Sequence, residues 1–170
     1  MKQAAAAAEL LCDTAIHYAF SSPLVRAFAT AEIIAEPHGC RVETVADLRE
    51  CDVGRWEGLS WEEIAQRDPE ACERFLRDPG VTSYPEGESF GDVERRVLPA
   101  VNCLLEKHTD GNILIVWHAA VGQVYLGHLL GLPHRRAREL HVDNGGVSVV
   151  RLVGDAPPKL HTLNSAFHLP

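Results

Sequence analysis

Arg26, Glu50 and His118 are the side chains of this sequence whose types and settings suit work on a small anion. Arg26 stands four residues beyond Ser22 in Ser22-Pro23-Leu24-Val25-Arg26-Ala27, where a strand gives way to a helix, and His118 ends Val116-Trp117-His118 at a second such junction. In open α/β sheets ligands gather at the carboxyl ends of the strands, where helix N-termini present unbonded N–H groups that suit anions. A guanidinium at such a junction can hold a phosphate, and Glu50, in a glycine-punctuated loop, is a general acid if burial raises its pKa. Each residue also has a plainer reading: Arg26 in a surface ion pair, Glu50 as a solvated carboxylate, His118 as a hydrogen-bonded histidine at the edge of the core. The matching positions of Arg26 and His118 strengthen the two together.

Those positions depend on an alternation of strands and helices. Alanine-rich Ala4 to Leu11 predicts a helix, and Ile16 to Phe20 a short strand. A second helix is expected from Pro23, with Ser22 as its cap and Leu24, Ala27, Ala31 and Ile34 as its inner stripe, ending at Pro37-His38-Gly39. Val42 to Val45 reads as a short strand before the loop with Glu50, Gly54 and Gly58. Ser60-Trp61-Glu62-Glu63 opens a helix, and Pro69 opens another through Leu76, with Phe75 and Leu76 facing inward. Residues 60–85 thus read as a lid-like helical insertion, and Trp56, Trp61 and Tyr84 either pack beneath it or line a substrate mouth.

Ser89 and Asp92 cap a long helix with Phe90, Val93, Val97, Val101, Leu104 and Leu105 inside, and Glu88 pairs with Arg95 or Arg96 near its start. Asn112 to Trp117 is a continuous apolar strand of the kind buried on both faces, followed by a helix over Ala119 to Leu130. Val147 to Leu152 and Leu160 to Leu163 add further strands. The order predicts one three-layer α/β/α domain over residues 1–170 around a largely parallel sheet.

Composition narrows the functions. A chain of 170 residues with 46% apolar and 24% charged residues is globular, and a net charge of -8 without a basic run excludes a nucleic-acid surface. The five cysteines form no CxxC and read as reduced thiols. The histidines show no HxH or HExxH, so no metal site is expected, and the absence of GxGxxG and P-loop patterns removes dinucleotide and nucleotide-triphosphate readings. Met1 to Leu11 lacks the cleavage pattern of a signal peptide, and no stretch approaches the roughly 20 apolar residues that span a bilayer. A cytoplasmic protein without a membrane anchor is expected.

Taken in order, Ser21-Ser22-Pro23-Leu24-Val25-Arg26-Ala27, Leu48-Arg49-Glu50 with Gly54-Arg55-Trp56-Glu57-Gly58, Gly87-Glu88-Ser89 and Val116-Trp117-His118 resemble the motifs of the histidine phosphatase (phosphoglycerate mutase-like) superfamily. The resemblance runs from about Gln3 to the end. It implies a phosphoglycerate mutase-like fold and phosphomonoester hydrolysis or phosphoryl transfer through a phosphohistidine, with no metal or organic cofactor. By the same resemblance Arg26 grips the phosphoryl oxygens, Glu50 protonates the leaving group, and His118 stabilises the transferring group. Ala119 takes the phosphate-binding position after it, where the family has a small glycine. Phosphoryl transfer is mainly positioning plus electrostatic stabilisation, which such residues can supply.

The departures matter as much. The family's Arg-His-Gly motif, with the nucleophilic histidine and another phosphate-binding arginine on a first sheet strand, occurs nowhere in this sequence. Trp117 is bulky for its position, and Glu86 stands where a second glycine is common. Losing a nucleophile from a coupled site costs about 10⁶ in kcat, so ordinary turnover is not expected. Three readings follow: a phosphatase by lineage without its nucleophile, a non-catalytic phosphate- or anion-binding pseudoenzyme, or an enzyme reusing Glu50 and His118 as an acid/base pair without a phosphoenzyme. All take a small phosphorylated molecule or a phosphate-like anion. The sheet edge left by an absent first strand points to a homodimer.

Overall fold

Helix and strand periods alternate along the chain, and the elements follow them. A computed structural model describes residues 1–154 and 156–170. Its elements are α1 (Lys2–Leu11), β1 (Tyr18–Ser21), α2 (Val25–Ala35), β2 (Val42–Thr44), α3 (Trp61–Arg67), α4 (Pro69–Arg77), α5 (Phe90–Lys107), β3 (Ile113–Val116), α6 (Ala119–Leu129), α7 (His134–Ala137), β4 (Val147–Arg151) and β5 (Lys159–Ser165). Among the described residues, no helix is long and apolar enough to cross a membrane.

The sheet has two parts. β1 lies between β2 and β3, parallel to both, while β4 and β5 form a separate antiparallel pair. Helices cover both faces, giving the expected three layers. On one face the small alanines of α1 let it lie close to α2, and Ala7, Ala8, Ile16 and Ile34 form a buried cluster. On the other, Phe90, Val93, Val97 and Val101 of α5 pack with Val121, Val124 and Leu126 of α6. Leu114 of β3 and Val147 of β4 pack against the first cluster, whereas Ile115 and Val150 pack against the second. Among the described residues, these two strands share both cores without being hydrogen-bonded to each other: β3 pairs with β1 and β4 with β5.

This division corrects one expectation. The Asn112 to Trp117 segment was expected to form a strand buried on both faces, yet all four residues of β3 are half-exposed. A strand paired on one side only lacks the neighbour whose side chains would close over its own. Two smaller corrections concern helices. α2 starts at Val25 with Leu24 as N-cap, so Pro23 and Ser22 lie before it, although the Ser22 hydroxyl accepts from the Leu24 N–H. On α4, Phe75 is buried but Leu76 is 60% exposed, because the next residue on a helix turns about 100° away. Both anticipated capping boxes, Ser60 with Glu63 and Ser89 with Asp92, form reciprocally.

The edge of β3 yields a local prediction. Asn112 and Val116 present their carbonyls to the β1 side, accepting from His17 and Ser22 N–H. Alternation along the strand then turns the N–H and C=O of Ile113 and Ile115 outward. In residue-resolved hydrogen exchange the Ile113 and Ile115 amides should exchange well ahead of those of Leu114 and Val116; equal protection of all four would show that the outer edge is covered.

Candidate anion site at the strand ends

Strand register brings the site together. Ser21 of β1 is opposite Val116 of β3, so Ser22 and His118 leave the sheet side by side, with the Ser22 N–H bonded to the Val116 carbonyl at 2.9 Å. Both side chains are buried, and His118 Nε2 shares a 2.8 Å hydrogen bond with the Ser22 hydroxyl. Each junction then opens a helix: α2, with Arg26 exposed in its first turn, and α6, with His118 as N-cap. Helix N-termini carry unbonded N–H groups and the positive end of the helix dipole, both favourable to an anion.

The electrostatics around His118 run in one direction. Burial, followed by the positive charges of Arg26 and Arg96, pushes its pKa down to about 4. It is therefore neutral at neutral pH. An anion among these groups would offset the push of the guanidinium groups and favour the imidazolium.

Glu50 sits in the loop after β2, with one carboxylate oxygen accepting from the Cys51 N–H at 2.9 Å and the other 3.5 Å from the Ala120 N–H at the start of α6. It lines a cavity of about 270 Å³ together with Cys51, Tyr84, Ala119, Gln123 and Arg138. Burial, reinforced by the charges of Glu88 and Glu50, raises the Cys51 pKa to about 12, so this residue is a neutral thiol and no nucleophile.

The Glu50 loop is held from α5. Arg96 pairs with both oxygens of Glu88 at 2.7 and 2.8 Å and donates to the carbonyls of Asp47, Arg49 and Glu50. Burial pushes the Glu88 carboxyl upward, but hydrogen bonds from Arg96 and the Asp52 N–H outweigh it and hold the group below its ordinary pKa. Backbone meets backbone beside this pair. A Cβ on Gly54, which has φ +57°, would collide with the Pro85 carbonyl, and one on Gly87 with the Asp52 carbonyl.

Of the residues picked out in the sequence, Arg26 and His118 come together at adjacent strand ends, and Glu50 and Ala119 share the neighbouring cavity. Among the described residues no hydrogen bond joins Glu50 to His118. Trp56 is buried against Phe75, Trp61 and Tyr84, the packing alternative, whereas Tyr84 also lines the cavity. Sequence reasoning missed three contributors. Ser22 was read as a cap rather than as the partner of His118, and Arg96 as an ion pair rather than a clamp on the loop. Arg138 carries no local motif that would have singled it out.

The low pKa of His118 has a measurable consequence. The unfolded chain, with histidine near 6.5, takes up the proton first as pH falls, so the stability contributed by neutral His118 is present above 6.5 and lost between 6.5 and about 4. In chemical denaturation, His118→Gln should flatten the loss of stability over that interval relative to wild type. Parallel curves would place the histidine's pKa near its ordinary value.

The fold recurs in known proteins. The family model described as histidine phosphatase superfamily (branch 1) matches residues 1–165. A bifunctional protein of Mycobacterium tuberculosis is 34% identical over 149 residues, covering 88% of this chain; the chain spans only 41% of that protein's length. The solved structure of YhfR from Bacillus stearothermophilus superposes with a TM-score of 0.91 at 26% identity, over 98% of this chain and 83% of that one. A mycobacterial glucosyl-3-phosphoglycerate phosphatase in complex with inorganic phosphate gives a TM-score of 0.83 at 28% identity, over 99% and 86%. A parallel sheet with helix N-termini at its strand ends, and a family match over nearly the whole length, establish that this chain belongs to the histidine phosphatase superfamily.

Proposed function

We propose that this chain binds phosphomonoesters, with the phosphoryl group between Arg26, His118 and the N-terminus of α6 at Ala119. The observation that carries this reading is the Ser21–Val116 register, which brings two helix N-termini and their cationic or protonatable side chains to neighbouring strand ends. Arg26 supplies a planar fork of donors to the phosphoryl oxygens. His118 takes up a proton as the anion enters and so adds a second positive charge. Glu50 faces the cavity into which the ester's alcohol extends, where a carboxylic acid would protonate the departing oxygen. We read the α3–α4 segment, whose Phe75 packs against Tyr84 of the cavity wall, as the lid.

Hydrolysis is the chemistry of the lineage, but these residues lack the nucleophile for it. The sequence contains no Arg-His-Gly, and among the described residues β3 has an unpaired outer edge that ends beside His118. Both features support the reading that residues 1–170 do not themselves supply the strand that would carry a phosphohistidine. The Glu50–His118 acid/base alternative has no direct contact between the two groups to support it.

Two outcomes test the proposal. Sulfate remains a dianion across the useful pH range, so any pH dependence of its binding belongs to the protein. By calorimetry its affinity should rise as pH falls below 7, by at most about tenfold per unit for one proton taken up, and should vanish in Arg26→Ala. Binding that ignores pH or survives that substitution would place the anion elsewhere. In turnover assays the chain should hydrolyse an aryl phosphate no faster than its Arg26→Ala, His118→Ala variant. A version extended before Met1 by an apolar strand ending in Arg-His-Gly should gain activity; full activity without the extension would overturn the missing-nucleophile reading.

A further inference from the structure

Arg138 is the cavity residue that the phosphate-binding reading leaves without a task. Its guanidinium carbon lies 5.0 Å from the ring centroid of Phe75, 5.3 Å from that of Phe90 and 5.8 Å from that of Tyr84. One terminal nitrogen donates to the Tyr84 hydroxyl at 3.0 Å. Its backbone is pinned as well, because the Gln123 side-chain amide donates to the Arg138 carbonyl at 3.1 Å. Three aromatic neighbours and a phenol orient a guanidinium, but none of them neutralises it.

The charge is uncompensated. Arg55, Arg95, Arg96 and Arg136 each have a carboxylate within ion-pair distance, whereas among the described residues Arg138 has none. Among the described residues Glu50 is the one carboxylate lining the same cavity, and its oxygens lie near the N–H groups of Cys51 and Ala120. A positive group that is half-buried, held on a rigid support and unpaired at a cavity wall lacks an anion that solvent replaces poorly. The cavity runs from Arg138 to Ala119, the first residue of the helix that borders the proposed phosphate position.

We propose that Arg138 is a specificity-determining residue: it selects phosphomonoesters whose alcohol portion carries a second anionic group, such as a carboxylate, over similar esters that lack one. The proposal rests on the phosphate-site reading above. The phosphoryl group occupies the strand-end site, the ester oxygen passes Glu50, and the second anion meets the Arg138 fork. Hydrogen bonds between charged partners in such a setting are worth roughly tenfold or more in affinity.

Ethyl phosphate and phosphoglycolate form a close probe pair that differs chiefly in a terminal carboxylate. By calorimetry the wild-type chain should favour phosphoglycolate by about tenfold. Arg138→Met, which keeps the aliphatic packing, should bring the ratio near one, and Arg138→Lys should recover part of it. Equal binding of the two probes by wild type would overturn the inference without needing any variant, as would a preference that persists in Arg138→Met. Failure of inorganic phosphate to bind wild type at all would instead overturn the phosphate-site reading itself.

Discussion

The parallel pairing of β1 with β3 is the constraint on which the rest depends. A parallel ladder aligns the carboxyl ends of its strands, and each strand here runs straight into a helix. Two helix N-termini must therefore emerge next to each other, and the residues at these junctions inherit their proximity from the sheet. A shift of one residue in the register would separate Ser22 from His118 and turn alternate side chains to the opposite face. The buried hydrogen bond between the two reports that the register is correct.

A second framework holds the loop of Glu50. The Arg96–Glu88 pair is largely withdrawn from water, and such pairs contribute little net stability because desolvation offsets their attraction. Their value lies in geometry. Arg96 distributes its donors over one carboxylate and three loop carbonyls, and the glycine contacts at Gly54 and Gly87 leave no space for that loop to approach differently. The acid candidate is thus fixed from behind, through its backbone, while its carboxylate faces the cavity.

Much of this was legible in the sequence because it rests on local signals. The capping boxes, the glycines that end helices and the boundaries of most elements follow from residue types within a few positions. Arg26, Glu50 and His118 were legible for the same reason, each being embedded in a short motif at an element boundary. Ser22 shows the limit: its hydroxyl accepts from the Leu24 N–H two residues on, a local bond of the capping kind, but its bond to His118 spans 96 positions. β3 shows another. Its apolar run encodes a strand meant for two-sided burial, whereas burial itself depends on which strands pair with it. Arg138 was invisible because nothing in its neighbourhood predicts that three aromatic residues from distant segments converge on it.

The attachment of the Glu50 loop to α5 has a mechanical consequence. Arg96 lies on the same helix as Val93 and Val97, whose side chains are wholly enclosed by the core. The helix behaves as a lever with its fulcrum in the hydrophobic interior and its working end under the acid. Substitutions deep in the core that rotate or slide α5 would displace Glu50 without touching any residue of its loop, so the aim of this carboxylate is set by packing rather than by its immediate neighbours.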